Sequence, residues 1–347
     1  MGKHEPPGEQ LALLGFDEAL RQSRAGAATS RGKRRAEQVL ETTQRVMMDP
    51  PTEDELAFLH SGLCQTYLPH SRPKSNRSLW RRVSGRFTLI VQPGLVDDTS
   101  PEARINRLTE EELDSMFVGL PYGARARLIL IHLQSEGVKG REVALGSTLS
   151  AWIRSMGLPV QGGERGTISM IREQALRVAR CQFTLQWDGV DSAGKRLRTL
   201  RDIRLVEGLE LAADEDAKLF PERVLLHEDF YEHLREHAVP LDKRGVALLS
   251  GNSLGLDLYA MFAHRLPRLK VPLHLTWQQL QAQLGSDYQE TFQLAARIRV
   301  TLKEVLGAYP EARVEPTRHG LMLRPSASSV PRTMVQGLRL LPGGKEA

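Results

Sequence analysis

Three potential zinc ligands sit close together near the middle of the N-terminal third: His60, Cys64 and His70. Zinc takes three or four such groups, and a cysteine beside a histidine is also the pair that makes a thiolate nucleophile. Neither chemistry is completed by its surroundings. The other cysteine, Cys181, is far along the chain, and no oxyanion-hole motif is visible. A second stretch, "HEDFYEHLREH" (227–237), sets His233 and His237 one helical turn apart but lacks the metalloprotease spacing. The Gly-rich turns "GLPVQGG" and "GNSLG" lack the lysine and the strand-to-helix context of a phosphate loop. No carboxylates pair at a recognisable spacing. The sequence therefore predicts no catalytic residue, no metal, no cofactor and no enzymatic activity, with the histidines serving as surface or capping groups.

What the chain does concentrate is positive charge. Directly after His70 come Arg72, Lys74, Arg77, Arg81, Arg82 and Arg86, with no acid among them and Trp80 inside the run. "RGKRR" (31–35) adds four more, while acids gather in "TEEELD" (109–114) and "EGLELAADED" (207–216), so the formal net charge of +5 is unevenly spread. Basic blocks of this kind suit nucleic acid or an anionic surface, although a solvated tail carries the same residues. Two cysteines in 347 residues imply no disulfide framework and fit a reducing compartment. No run approaches 18 apolar residues, and the N-terminus does not read as a signal peptide. The expected location is the cytoplasm.

The elements that must position these groups follow from breakers and periodicity. Residues 1–35 are rich in Gly, Pro, Ala and Arg and read as poorly ordered. Residues 35–48 suit a helix, which "DPP" stops. Thr52 with Glu55 has the form of a capping box, "RFTLIVQPG" (86–94) reads as a strand, and 97–112 as a loop. Between 120 and 325 one order of elements occurs twice: a helix, a short helix, a longer helix, a hairpin. The first pass uses 122–137, 147–157 (Ser147 as cap, Gly157 as stop), 167–181 and a hairpin from Gln182 onward. The second uses 241–266, 276–285, 288–310 and a hairpin at 312–325. Gly157 and Gly285 lie 128 residues apart.

That order is the order of a winged helix, whose longer helix enters the DNA major groove while the wing reaches phosphates. The predicted fold class is α+β: two tandem winged-helix domains with an N-terminal basic extension. The expected boundaries are 1–50, a flexible or helical extension; 51–118, a basic arm and strand packing on the first domain; 119–238, the first winged helix; 239–325, the second; and 326–347, a flexible tail. Candidate DNA contacts in the first are Arg165, Thr167, Ser169, Arg172 and Arg177, with Lys195, Arg196 and Arg198 on its hairpin. In the second they are Ser286, Tyr288, Gln289, Gln293, Arg297 and Arg299. Glutamine can pair twice with adenine and arginine twice with guanine. A solvated helix face carries the same residue types; two such helices in equivalent places favour nucleic acid.

Five blocks carry a further signal: "CQTYLPHSRPKSN" (64–76), "GLPYGARARLIL" (119–130), "HAVPLDKRGVALL" (237–249), "LDLYAMFAHRL" (256–266) and "YPEARVE" (309–315). In order and spacing they resemble the RepA-type plasmid replication initiators and, more distantly, the tandem winged-helix Rep and TrfA-like initiators. The resemblance covers about residues 58–325. It implies binding to repeated sites in double-stranded plasmid origin DNA, local melting, recruitment of the host initiator and helicase-loading machinery, control of copy number, and a homodimer in equilibrium with monomer. It implies a bacterial protein associated with the nucleoid or plasmid, not with a membrane. A winged-helix transcriptional repressor is the alternative, and an initiator that nicks DNA through a metal or a tyrosine is a third. Recognition helices differ most among relatives, so the contacts named above come from the pattern of this sequence alone.

Overall fold

The computed structural model describes residues 5–85, 87–96, 109–146, 148–190, 196–213, 219–284 and 288–334. It is a mixed α+β chain that divides into two compact units. One holds the chain up to Phe58, Val239–Gln281 and the residues from Tyr288 onward; the other is built on Leu59–Ala238. The N-terminal residues thus belong with the C-terminal unit, a grouping that linear boundaries do not express.

Three helices, α1 (Pro7–Leu14), α2 (Phe16–Ala25) and α3 (Ser30–Met48), replace the poorly ordered start expected of residues 1–35. Pro7 opens α1, where its missing N–H costs nothing. The Thr29 hydroxyl accepts from the Gly32 amide at 3.0 Å and caps α3. Val39, Leu40 and Thr43 are the buried side of α3. Gly and Pro lowered the apparent helix signal here, and packing against the rest of the unit overrides that weak propensity. Thr52 and Glu55 do form the capping box, but around one 3-10 turn that leads into β1 (Leu56–His60) instead of a helix.

The chain continues through β2 (Trp80–Ser84), β3 (Phe87–Gln92) and α4 (Glu110–Ser115). Then come α5 (Gly123–Gly137), β4 (Glu142–Ala144), α6 (Leu149–Ser155) and α7 (Thr167–Arg180). Four strands and a helix complete this unit: β5 (Gln182–Val190), β6 (Arg196–Arg204), β7 (Val206–Ala213), β8 (Leu219–Leu226) and α8 (Glu228–His237). Thr148, not Ser147, caps α6, accepting from the Ala151 amide at 3.1 Å; Ser147 lies outside the described residues. Gly157 ends that helix with φ of 72°, a left-handed geometry that glycine adopts without strain.

The hairpin β5–β6 was expected to be the wing of the first unit. Instead it extends β2 and β3 into a four-stranded antiparallel sheet of order β2-β3-β5-β6. The strands that pair with β4 are β7 and β8, in order β4-β8-β7. β5 and β6 are thus an insertion between the long helix and the hairpin of the repeat. The acidic composition of "EGLELAADED" hid β7, because its strand signal is weak.

The other unit follows with β9 (Ala238–Asp242), α9 (Lys243–Leu248), α10 (Ser253–Arg265), β10 (Leu273–Thr276), α11 (Trp277–Leu284), α12 (Thr291–Ala308), β11 (Val314–Pro316) and β12 (Gly320–Leu323). β1 and β9 form a two-stranded sheet, and β10, β12 and β11 a three-stranded one in that order. The two passes therefore share helix, strand, helix, helix and a returning hairpin, with the first strand paired to the last. The offset of 128 residues recurs in the starts of α6 and α11 and in the ends of α5 and α10, and of α7 and α12. The short strands β4 and β10 escaped the sequence reading because each is too brief to show alternation. Gly320 is required at the close approach of β12 to β10: a Cβ there would lie 1.9 Å from the Leu275 carbonyl oxygen.

In the unit containing α12, Leu258, Tyr259, Phe262, Leu294, Ile298, Val305, Leu321 and Leu323 are fully buried. Each large side chain of this kind contributes roughly 1.5–3 kcal/mol when removed from water. α3 closes over α12 at Gly307, where a Cβ would meet Val39 Cγ1 at 2.8 Å and Thr43 Oγ1 at 2.9 Å. The Arg35 guanidinium binds both Glu304 oxygens, at 2.9 and 2.8 Å, and the Leu248 carbonyl at 2.6 Å. Burial works to raise the Glu304 pKa, yet Arg35 holds that carboxyl below its ordinary value.

Candidate nucleic-acid interface

The metal and nucleophile constellation does not assemble. His60 is fully buried, and its Nδ1 accepts from the Gly62 amide at 3.0 Å. A neutral His60 ring must then carry its proton on Nε2, which lies 2.6 Å from His233 Nδ1. Cys64 points its sulfur toward the Leu59 carbonyl, and His70 sits 3.5 Å from the Arg127 guanidinium. The rings of His233 and His237 lie against each other on α8, tilted by 58° with centres 4.2 Å apart, as their spacing allows. That His60 joins them could not be read from the sequence, because 173 residues separate His60 from His233. Among the described residues no group of three or more His, Cys, Asp or Glu is arranged to hold a metal ion. Burial pushes the Cys181 thiol up to about 12, far from a reactive thiolate.

The block "CQTYLPH" is a packed structural segment. Cys64, Tyr67 and Leu68 are buried. Arg127 on α5, itself buried, donates to the carbonyls of Leu68 at 2.7 Å and Pro69 at 3.1 Å. The Tyr67 hydroxyl bonds the Cys64 carbonyl at 2.9 Å, and Trp80 Nε1 donates to the Tyr67 carbonyl at 2.7 Å. Trp80 is thereby fixed at the start of β2, and the Arg82 guanidinium lies 3.9 Å from its ring centre.

The basic arm beyond this segment is held in shape by an acid that the sequence reading did not single out. Asp114 accepts from the Ser75 hydroxyl, from the Asn76 amide at 3.1 Å and from the Arg77 amide at 3.3 Å. The Ser75 hydroxyl and the Asn76 amide hold its carboxyl below the usual range. The signal available was a short helix with the capping box Thr109–Glu112, which places Asp114 at its end. Arg77 pairs with Glu110 and reaches Asp114. Arg72, Lys74, Arg77 and Arg81 are exposed, Arg82 is half-buried, and Arg86 lies outside the described residues.

The two long helices differ sharply. On α7, Thr167 and Arg177, both candidate DNA contacts from the sequence, are buried. The Arg177 guanidinium donates to the Leu120 carbonyl at 3.0 Å and to Glu173 at 3.2 and 2.9 Å, and lies 5.3 Å from the Tyr122 ring centre. Ser169 and Arg172 are half-buried, and only Arg165, just ahead of the helix, is exposed among the residues named for this helix. Arg196 and Arg198 belong to β6, which the inserted sheet uses, and Lys195 lies outside the described residues.

α12 presents the opposite picture. Leu294, Ala295, Ile298, Thr301, Leu302 and Val305 are buried. Phe292, Gln293, Ala296, Arg297, Arg299 and Val300 are exposed, as is Gln289 just before the helix; Tyr288 is half-buried and Ser286 lies outside the described residues. Arg299 stacks over Trp277 with 4.7 Å to the ring centre and donates to the Thr317 carbonyl at 3.3 Å. That bond brings the β11–β12 turn, with exposed Arg318 and His319, beside the helix. The turn is closed by the Thr317 amide on the Gly320 carbonyl at 2.8 Å. Chemically, this surface offers guanidinium and carboxamide donors on a rigid helix, flanked by a basic turn.

No curated protein matches the sequence. Among solved structures, a crystal structure of domains 2 and 3 of RctB is similar with a TM-score of 0.46 at 12% identity, covering 78% of this chain and 98% of that one. A second structure of RctB domains 2–3 gives a TM-score of 0.41 at 12% identity, covering 73% and 83%. No helix among the described residues is long and apolar enough to cross a membrane. The family model described as plasmid encoded RepA protein matches residues 120–279, a span running from just before α5 into α11. Over that span, less than half of the chain, the sequence is similar to the plasmid-encoded RepA family, as the resemblance of its sequence blocks implied.

Proposed function

We propose that this chain is a plasmid replication initiator. It binds repeated sites in double-stranded origin DNA in a sequence-specific way, as a non-enzymatic protein of two winged-helix units. The observation that carries the reading is the exposed N-terminal half of α12, with Gln293, Arg297 and Arg299 beside a basic turn, in a chain with RepA-family sequence. In a winged helix this is the helix that enters the major groove, which is about 12 Å wide and admits one helix. The exposed cations of the arm, Arg72, Lys74 and Arg81, suit phosphate contact, which fixes register without reading bases. Melting of the duplex then draws on the binding and bending of several sites. Homodimers, the host helicase-loading machinery and copy control belong to the same proposal, as does a cytoplasmic location.

A circular DNA carrying only this gene, its flanking DNA and a selectable marker tests the reading. Autonomous replication in a bacterial host is expected; specific binding without replication would establish the repressor reading instead. Incubation of the purified chain with supercoiled origin DNA and Mg²⁺ should leave the DNA supercoiled. Nicked circles would overturn the non-enzymatic assignment.

A further inference from the structure

Three exposed residues on α12 are not donors. Phe292 is 69% and Val300 68% exposed, and Ala296 lies between them. At three or four residues per turn these positions, four apart, form one continuous strip along the helix. The strip runs about 12 Å, the rise of three to four base-pair steps. Around the helix, Arg299 borders one side, and Gln293 and Arg297 border the other. The sequence from Thr291 to Val300 contains no carboxylate. An apolar strip framed by cations and a carboxamide, with no acid, is complementary to a polyanion that carries apolar groups between hydrogen-bonding ones.

The DNA major groove is such a surface, because thymine displays a C5-methyl group there beside the acceptors and donors of its neighbours. Resting on the proposed origin-binding role of α12, we propose that Phe292, Ala296 and Val300 read thymine C5-methyl groups, while Gln293 and Arg297 read adjacent purines. Ala296 at the centre lets the helix backbone approach the base edges, and the larger Phe292 and Val300 fill the space at either end. This strip adds shape and methyl recognition to the hydrogen-bond code, and it accounts for a phenylalanine and a valine held in water on a helix whose opposite side is fully packed.

The test uses the full chain and a duplex selected by it from a randomised pool. Each thymine of the selected site is replaced singly by deoxyuridine, which removes the methyl and keeps the base pair. The expected result is a loss of about fourfold in affinity at each contacted thymine, the value of one buried methyl group. Phe292→Ala should abolish the loss at one position and Val300→Ala at another, leaving the other thymines as in the parent. Wild-type insensitivity to every deoxyuridine would overturn the proposal, as would equal deoxyuridine losses in parent and variants. A change in sedimentation of the variants with an unchanged deoxyuridine response would assign the strip to a second copy of the chain, also overturning it. If selection enriches no sequence at all, the origin-binding reading fails first and the proposal with it.

Discussion

Replacing Arg177 by methionine separates an architectural arginine from a DNA-binding one. Methionine keeps most of the aliphatic packing and removes only the guanidinium. Interactions with three partners disappear: the bond to the buried Leu120 carbonyl, the two bonds to Glu173, and the contact with the Tyr122 ring. Breaking a buried ion pair by removing one partner costs about 3–5 kcal/mol when the remaining charge stays buried. Glu173 is 38% exposed, so water rehydrates its carboxylate and the cost moves below that range. The Leu120 carbonyl has no such relief, and a hydrogen bond from a charged donor contributes roughly 1.5–3 kcal/mol. The expected destabilisation is about 2–3 kcal/mol, or about 5–10 °C in the transition of the unit containing α7. Urea unfolding followed by tryptophan fluorescence measures it. DNA binding at several salt concentrations, in conditions where the variant is folded, should show an unchanged salt slope. A variant as stable as the parent whose slope falls by about one would place Arg177 on a phosphate and refute the reasoning.

Other outcomes follow from single environments. Burial, helped by Arg268 and Arg265, lowers the His264 pKa to about 4, so the folded state resists protonation that the unfolded chain accepts. Stability is therefore full above pH 6.5 and falls toward pH 4, and His264→Gln should flatten that fall by about 1–2 kcal/mol in urea titrations at pH 7 and 4.5. Neither cysteine is in a disulfide and both are buried, so a thiol reagent at pH 8 should label neither until denaturant is added. Gly307→Ala gains about 1 kcal/mol of helix propensity but must displace Val39 and Thr43, β-branched side chains on α3, at about 1–3 kcal/mol. A net loss of stability, relieved by adding Val39→Ala, is expected from the same titrations; a Gly307→Ala variant more stable than the parent would contradict the close packing of α3 on α12.

The repeat was legible because helix periodicity, glycine stops and the 128-residue offset are local signals that survive in one sequence. The long helix α12 followed from them. Burial on the other long helix was not legible: Arg177 and Arg297 look alike until α5 and the Leu120 segment are packed against one of them. The inserted sheet was missed because nothing local distinguishes β5 and β6 from a wing; only their pairing with β2 and β3 does. The His60–His233 contact and the Asp114 clamp are long-range for the same reason. "CQTYLPH" is the clearest case, since residue types that suggest chemistry turn out to be fixed by Arg127 and Trp80.

The most direct measurement is a hydroxyl-radical footprint of the full chain on the DNA flanking its gene, with the Arg297→Ala variant beside it. The account predicts protected segments recurring at multiples of one helical turn, about 10–11 base pairs, with protection lost in the variant while weak non-specific binding remains. Uniform protection without recurrent segments, or a footprint that Arg297→Ala leaves intact, would contradict it.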